Sequence, residues 1–137
     1  MIEFSSQNAF ELKDSANRRD WILSIVAGEG KSIHELQYVF CTDDFLHKLN
    51  VDFLSHDTLT DIITFDYTSG DIVAGEIYIS IDRVVDNAKD LNVAFEDELD
   101  RVLIHGILHL CGYLDKSEDE KNLMRAKEDY CLERRGW

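Results

Sequence analysis

Apolar residues recur along this chain in two rhythms, a period of two and a period near 3.6, and each rhythm predicts its own kind of element. Ile2 and Phe4 flank Glu3 and open the chain as a short strand over Ile2–Phe4. From Asn17 to Gly28 the rhythm is helical, with Trp21, Ile22, Ile25 and Val26 on one stripe and Gly28 or Gly30 as the stop. Leu36, Tyr38 and Phe40 alternate with polar or small neighbours and predict a second strand. Thr42 is placed to cap a helix over Asp43–Asp52, with two acids in the first turn and Phe45, Leu46 and Leu49 on the buried side.

A polar stretch, Ser55–Thr60, reads as a loop. Ile62-Ile63-Thr64-Phe65 is β-branched and aromatic, hence a strand, and Ser69-Gly70 marks a turn. Glu76–Ser80 is the next strand, with Ile77 and Ile79 facing one way. Ser80 or Asp82 begins a helix that runs to about Leu91, with Val84, Val85 and Ala88 inward. Glu96–Leu110 is a longer helix whose acidic start (Glu96, Asp97, Glu98) suits the positive end of its dipole. Its Val102, Leu103, Ile104, Ile107 and Leu108 make it apolar nearly all round, which predicts a central, buried helix. Ser117-Glu118-Asp119-Glu120 has the form of a capping box and opens a last helix to about Arg134. The sum is one small α+β domain over residues 1–137, with a mostly mixed sheet of about four strands and about five helices mainly on one side.

Composition narrows the class. No stretch of the 137 residues approaches the length of a membrane helix, and the start Met1-Ile2-Glu3-Phe4-Ser5 lacks a signal peptide's basic and apolar regions. A cytoplasmic location is the expectation. Cys41, Cys111 and Cys131 are an odd number without framework spacing and read as reduced thiols. The formal net charge of −14 counts against generic nucleic-acid binding unless basic residues gather locally. They do gather near the C-terminus, as Lys116, Lys121, Arg125, Lys127, Arg134 and Arg135, interleaved with acids in the manner of a solvated helix face.

The chemistry is concentrated in His105-Gly106-Ile107-Leu108-His109-Leu110-Cys111-Gly112-Tyr113-Leu114-Asp115. Residues at i and i+4 share a helix face, so both imidazoles can point at one ion. Gly112 can end the helix with a positive φ, and the returning chain can bring Asp115 to the same point. Two imidazoles, a carboxylate and an open fourth position form the ligand set of a catalytic zinc site. A lone histidine pair arises easily by chance; the glycine and aspartate at the expected offsets, and the apolar filler between, favour a ligand set. Cys111, two residues past His109, falls on the wrong side of the helix to share the ion. The spacing matches the zinc peptidase pattern H-E-x-x-H-x-x-G-x-x-H, with two departures. Gly106 stands where those enzymes need a glutamate base, and Asp115 stands where they have a third histidine.

Two upstream segments extend the pattern: Asp57-Thr58-Leu59-Thr60-Asp61-Ile62-Ile63-Thr64-Phe65, then Gly75-Glu76-Ile77-Tyr78-Ile79-Ser80. In this order and spacing the chain resembles the YbeY family of bacterial rRNA-maturation metallo-endoribonucleases. The resemblance implies a single-strand-specific endoribonuclease acting in small-subunit rRNA 3′-end maturation and ribosome quality control. It implies one zinc ion, or another divalent transition metal, held by His105, His109 and Asp115, with Asp115 in the place of the family's usual third histidine. That exchange lowers the charge of the metal unit by one and favours harder ions such as Mn²⁺. The partners implied are single-stranded rRNA and the small ribosomal subunit or its proteins. Leu54 stands where the family has an arginine, and Leu59 and Asp66 stand where it has prolines. Arg83 or the C-terminal basic residues are the candidates to replace that arginine, and His56 reads first as a solvated loop histidine, with phosphate contact as the alternative.

The catalytic group expected is a metal-bound water, since Gly106 offers no base. Glu76, in the place of the family's acid, is the candidate partner for a histidine N–H, or else a strand-edge charge facing water. Lys116, with Lys121 and Arg125 four apart on the last helix, is the candidate RNA face. Two other readings stand beside the nuclease. One is a zinc peptidase, which Gly106 disfavours. The other is a non-catalytic ribosome-assembly factor with a structural metal, which would need a fourth protein ligand.

Overall fold

Alternation along four strands sorts the apolar side chains onto two faces of one sheet. The computed structural model describes residues 1–54 and 60–137, without the side chain of Leu54. The expected loop at Ser55–Thr60, with His56, therefore lies almost wholly outside the described residues. The elements are β1 (Ile2–Ser6), α1 (Ser15–Gly28), β2 (Ser32–Cys41), α2 (Asp43–Leu54), β3 (Ile62–Asp66), β4 (Ile72–Ser80), α3 (Ile81–Leu91), α4 (Phe95–Leu110) and α5 (Glu118–Leu132). Their order is the one the hydrophobic rhythm predicts, and the fold is the single α+β domain with a four-strand mixed sheet.

The strands lie in the order β1-β2-β4-β3. β1 and β4 run parallel to β2, with Phe4 opposite Tyr38 and Tyr38 opposite Ile77; β3 is antiparallel to β4, with Thr64 opposite Ile77. Parallel neighbours need a crossover, and α1 supplies the one from β1 to β2. Leu36, Tyr38, Phe40, Val73, Ile77 and Ile79 point to the face covered by α1, α3, α4 and α5. Cys41 and Ile63, with Phe65 and Tyr78, point the other way and meet Leu46, Phe45 and Leu49 of α2. Among the described residues, four helices on one face and one on the other leave the mixed sheet covered on both sides.

Local signals behave as their chemistry dictates. Thr42 Oγ1 accepts from the Phe45 amide at 3.3 Å, Ser80 Oγ accepts from the Arg83 amide at 3.2 Å, and the Ser117/Glu120 capping box is complete. β4 starts at Ile72, earlier than expected from the run at Glu76. Gly75 breaks the apolar pattern there because a Cβ would lie 2.5 Å from the Phe65 carbonyl oxygen and 3.2 Å from Leu110 Cδ1.

α4 is the central buried helix. Tyr38 Oη donates to the Leu103 carbonyl at 2.9 Å, which ties it to the sheet. Its one fully buried acid, Asp100, accepts from Arg18 Nε at 2.7 Å and from Arg135 Nη1 at 2.8 Å, so α1 and the segment after α5 both anchor on it. Two arginines on one buried carboxylate satisfy the charge that burial would otherwise penalise. At Gly106 the helix presses directly on the sheet: a Cβ there would stand 3.0 Å from Ile62 Cδ1 and from Ile77 Cδ1.

Candidate metal centre

The site forms where α4 ends. His105 and His109 share one face of the helix, and their ring centroids are 4.5 Å apart. The helix closes with the Cys111 amide donating to the Ile107 carbonyl and the Tyr113 amide to the Leu108 carbonyl. Gly112 adopts φ +105°, a conformation that costs a residue without Cβ little. The chain turns back through Tyr113 and Leu114 and delivers Asp115.

Three donor atoms converge. His105 Nε2 and His109 Nε2 are 3.0 Å apart, and Asp115 Oδ2 lies 3.3 Å and 3.2 Å from them. Each ring is fixed from its other nitrogen. His105 Nδ1 lies 2.6 Å from Glu128 Oε2, and His109 Nδ1 lies 2.9 Å from the Tyr113 carbonyl oxygen. Neither partner has a hydrogen to give at neutral pH, so both Nδ1 atoms donate. Both Nε2 atoms then carry lone pairs toward each other and toward a carboxylate oxygen. Three acceptors facing one point with no donor among them suit a cation. Tetrahedral zinc, with ligands at about 2.0–2.1 Å, sets neighbouring ligands roughly 3.3–3.4 Å apart, close to the spacing seen. His105, His109 and Asp115 thus form a group that can hold a metal ion.

Burial alone would lower the His105 pKa, but its hydrogen bond to Glu128 and the charges of Glu128, Asp115 and Asp61 outweigh that and raise it. A proton on His105 therefore competes with a metal for the same site. The three side chains are about a quarter to a third exposed (22%, 24% and 37%), so the group opens to solvent. Among the described residues it has three members and no fourth. Cys111 is not one of them, and burial pushes its thiol up to about 11, where it stays protonated.

The other expected residues fall in different places. Glu76 is a correction: its strand neighbours Gly75 and Ile77 face α4, so Glu76 faces the opposite side of the sheet and accepts from the Tyr67 hydroxyl at 3.4 Å. The carboxylate that reaches a ligand ring is Glu128, buried on α5. Lys116, Lys121 and Arg125 are all exposed, and Arg125 Nη1 lies 3.8 Å from Glu128 Oε1. Arg83 is engaged by Asp43 at 3.1 Å and Asp86 at 2.6 Å and is not available as a phosphate clamp. His56 and the side chain of Leu54 lie outside the described residues.

Sequence reasoning also left Asp61 without a role. Its carboxyl is raised by burial, opposed by the charge of nearby His105, and its Oδ2 accepts from Asn87 Nδ2 at 3.4 Å. The signal that could have excluded Glu76 was strand parity with Ile77 and Ile79. For Glu128 the only signal was an acid on the buried stripe of the last helix, seven residues past Lys121.

With the geometry in hand, comparison with known proteins is direct. The family model described as Endoribonuclease YbeY matches residues 2–136. A Flavobacterium johnsoniae protein named Endoribonuclease YbeY is 54% identical over 94% of this chain and 93% of its own length. Another of that name, from Cytophaga hutchinsonii, is 49% identical over 94% of this chain and 91% of its own. Among solved structures, the solution structure of TM1509 from Thermotoga maritima matches with a TM-score of 0.69 at 34% identity, covering 97% of this chain and 87% of that one.

Proposed function

The chain belongs to the YbeY family of endoribonucleases, hydrolases acting on RNA, and from that premise we propose that it is a metal-dependent, single-strand-specific nuclease that matures the 3′ end of small-subunit rRNA. The observation that carries the metal dependence is the convergence of His105 Nε2, His109 Nε2 and Asp115 Oδ2, three acceptors within 3.3 Å of one another. Zinc suits the two imidazoles, and the carboxylate leaves room for Mn²⁺.

A divalent ion there would supply Lewis acidity toward a phosphoryl oxygen and toward water. His105, His109 and Asp115 would hold it, with the two rings turned by their Nδ1 hydrogen bonds to Glu128 and to the Tyr113 carbonyl. Lys121 and Arg125 lie one turn apart on α5. Arg125 Nη1 lies 3.8 Å from the carboxylate that meets His105, which supports Arg125 as a cation for an RNA phosphate. Lys116 follows Asp115 directly and extends the same rim. Asp61 is the half-buried acid beside His105 and the candidate for moving a proton during hydrolysis. An rRNA substrate puts this work in the cytoplasm, beside the small ribosomal subunit. No described helix is long and apolar enough to cross a membrane.

The peptidase reading loses ground at Gly106, whose missing Cβ faces Ile62 and Ile77 of the sheet, leaving no room for a glutamate base. The test is metal analysis of the purified protein followed by incubation with labelled single- and double-stranded RNA, with chelator and with metal restored. Cleavage of the single strand alone, abolished by chelator and rescued by metal, is expected. Peptide hydrolysis with RNA untouched overturns the reading.

A further inference from the structure

We propose that Glu128, clamped by Arg101, is the positioning residue that holds the His105 ring with Nε2 presented to the metal. This rests on the metal reading above and deepens it. The two histidines are oriented by different means. His109 donates to the carbonyl of Tyr113, four residues on, within the same turn that delivers Asp115. That restraint is local and neutral. His105 donates to a carboxylate on another helix, 23 residues away in sequence.

The carboxylate is itself held. Glu128 is 4% exposed, with Oε2 given to His105 Nδ1 at 2.6 Å and Oε1 accepting from Arg101 Nη1 at 2.8 Å. Arg101 sits one turn before His105 on α4, and its Nη2 donates to Asp129 at 2.7 Å. Arg101 thus grips two consecutive α5 carboxylates and leaves Glu128 one free oxygen, which meets the ring. A buried carboxylate is costly unless fully paired, and this one is paired on both oxygens. A charged acceptor at Nδ1 fixes the tautomer and strengthens Nε2 as a donor to metal, which a carbonyl does less well.

A purely structural role is the competing account: Glu128 would then only dock α5 on α4 through Arg101. The two separate in the cobalt spectrum, which follows the geometry of the ring, and in the metal affinity of variants whose melting temperature shows α5 still docked. Glu128→Ala removes both functions, whereas Glu128→Gln keeps the volume and an acceptor oxygen for the ring but loses the charge. The experiment measures the dissociation constants for Zn²⁺ and Co²⁺ by competition with a chromophoric chelator. It also records the visible spectrum of the Co²⁺ form and the metal-free melting temperature, for wild type and both variants. Glu128→Ala is expected to weaken metal binding by roughly 10–100-fold and shift the cobalt bands, with Glu128→Gln recovering part of the loss. Wild-type affinity and an unchanged cobalt spectrum in folded variants, whatever their melting temperatures, overturn the proposal. Should the alanine variant fail to fold, the glutamine variant decides by the same two readouts. A wild-type protein that binds neither ion overturns the metal reading and this proposal with it. Wild-type binding that both variants preserve overturns this proposal alone.

Discussion

The Nε2 atoms of His105 and His109 stand 3.0 Å apart, and each ring has already spent its one hydrogen on the opposite nitrogen. Two lone pairs at that distance repel unless a proton or a metal ion lies between them, and with the Asp115 carboxylate beside them the set suits the metal. The protein is therefore expected to carry about one transition-metal ion per chain. His105→Ala or His109→Ala should remove most of it, measured by elemental analysis after dialysis. Asp115→His should keep zinc and shift the preference away from Mn²⁺ in a competition titration. Full metal retention by the His105→Ala, His109→Ala double variant would contradict the ligand assignment.

Gly106 carries the approach of α4 to the sheet. Gly106→Ala puts a methyl group 3.0 Å from Ile62 Cδ1 and Ile77 Cδ1. Overpacking of this kind typically costs about 1–3 kcal/mol, against roughly 1 kcal/mol that alanine gains over glycine inside a helix, so a lower midpoint in urea denaturation is expected where Ile62 and Ile77 cannot move aside. Gly106→Glu, the change toward the peptidase motif, should destabilise further and bring no peptidase activity. A Gly106→Ala protein as stable as wild type would mean that the helix and sheet have slack here.

Glu98 gives a prediction with pH. Burial raises its carboxyl above the ordinary 4.5, and the charges of Asp61 and Glu128 add to this against Arg101 and Arg125. A group raised by folding favours the fold when protonated. Its stabilisation is complete below the unfolded value and is lost as pH rises through the folded one. At neutral pH the buried carboxylate thus weighs against the fold. Glu98→Gln should raise the melting temperature at pH 7, with the gain fading as pH falls through the raised folded value and absent below about 4.5. Glu96 and Asp97 still serve the positive end of α4. A constant gain or loss across that range would show that the charge is not the cause.

Lys121 and Arg125 are the proposed cations for RNA. Replacing both with glutamine should weaken binding to a single-stranded oligonucleotide. It should also flatten the dependence of log affinity on log salt by about 0.7 for each phosphate no longer neutralised. Stability should change by less than about 0.5 kcal/mol, because both side chains are exposed. Unchanged affinity and slope would mark this face as merely solvated.

The strands and helices were legible because each buries one face, so the rhythm of Leu36, Tyr38 and Phe40, or of Trp21, Ile22, Ile25 and Val26, is imposed by the core itself. The three converging donors were legible for the same reason: one helix face and one glycine turn contain them all within eleven residues. Glu128 was not, because a hydrogen bond spanning 23 residues leaves no periodic trace, and α5 mixes charges of both signs. Glu76 was misplaced although strand parity was available: with Ile77 turned to α4, its neighbour must turn away. Arg18 and Asp100 were equally invisible as a pair, being 82 residues apart.

One turn of α5 has a thermodynamic consequence. Lys127 Nζ lies 2.9 Å from Glu29 Oε2, and Glu29 Oε1 accepts from the hydroxyl of Tyr113, the residue whose carbonyl holds His109. The next residue, Glu128, holds His105. Adjacent positions on one helix thus steady both rings, so metal binding and the docking of α5 are a single linked equilibrium. An ion that binds only the docked form, present at 100 times its dissociation constant, shifts that equilibrium by about 2.7 kcal/mol. Amide hydrogen exchange along α5, far more than along the sheet, should slow on loading and quicken with chelator, making that helix a gauge of whether the nuclease is armed.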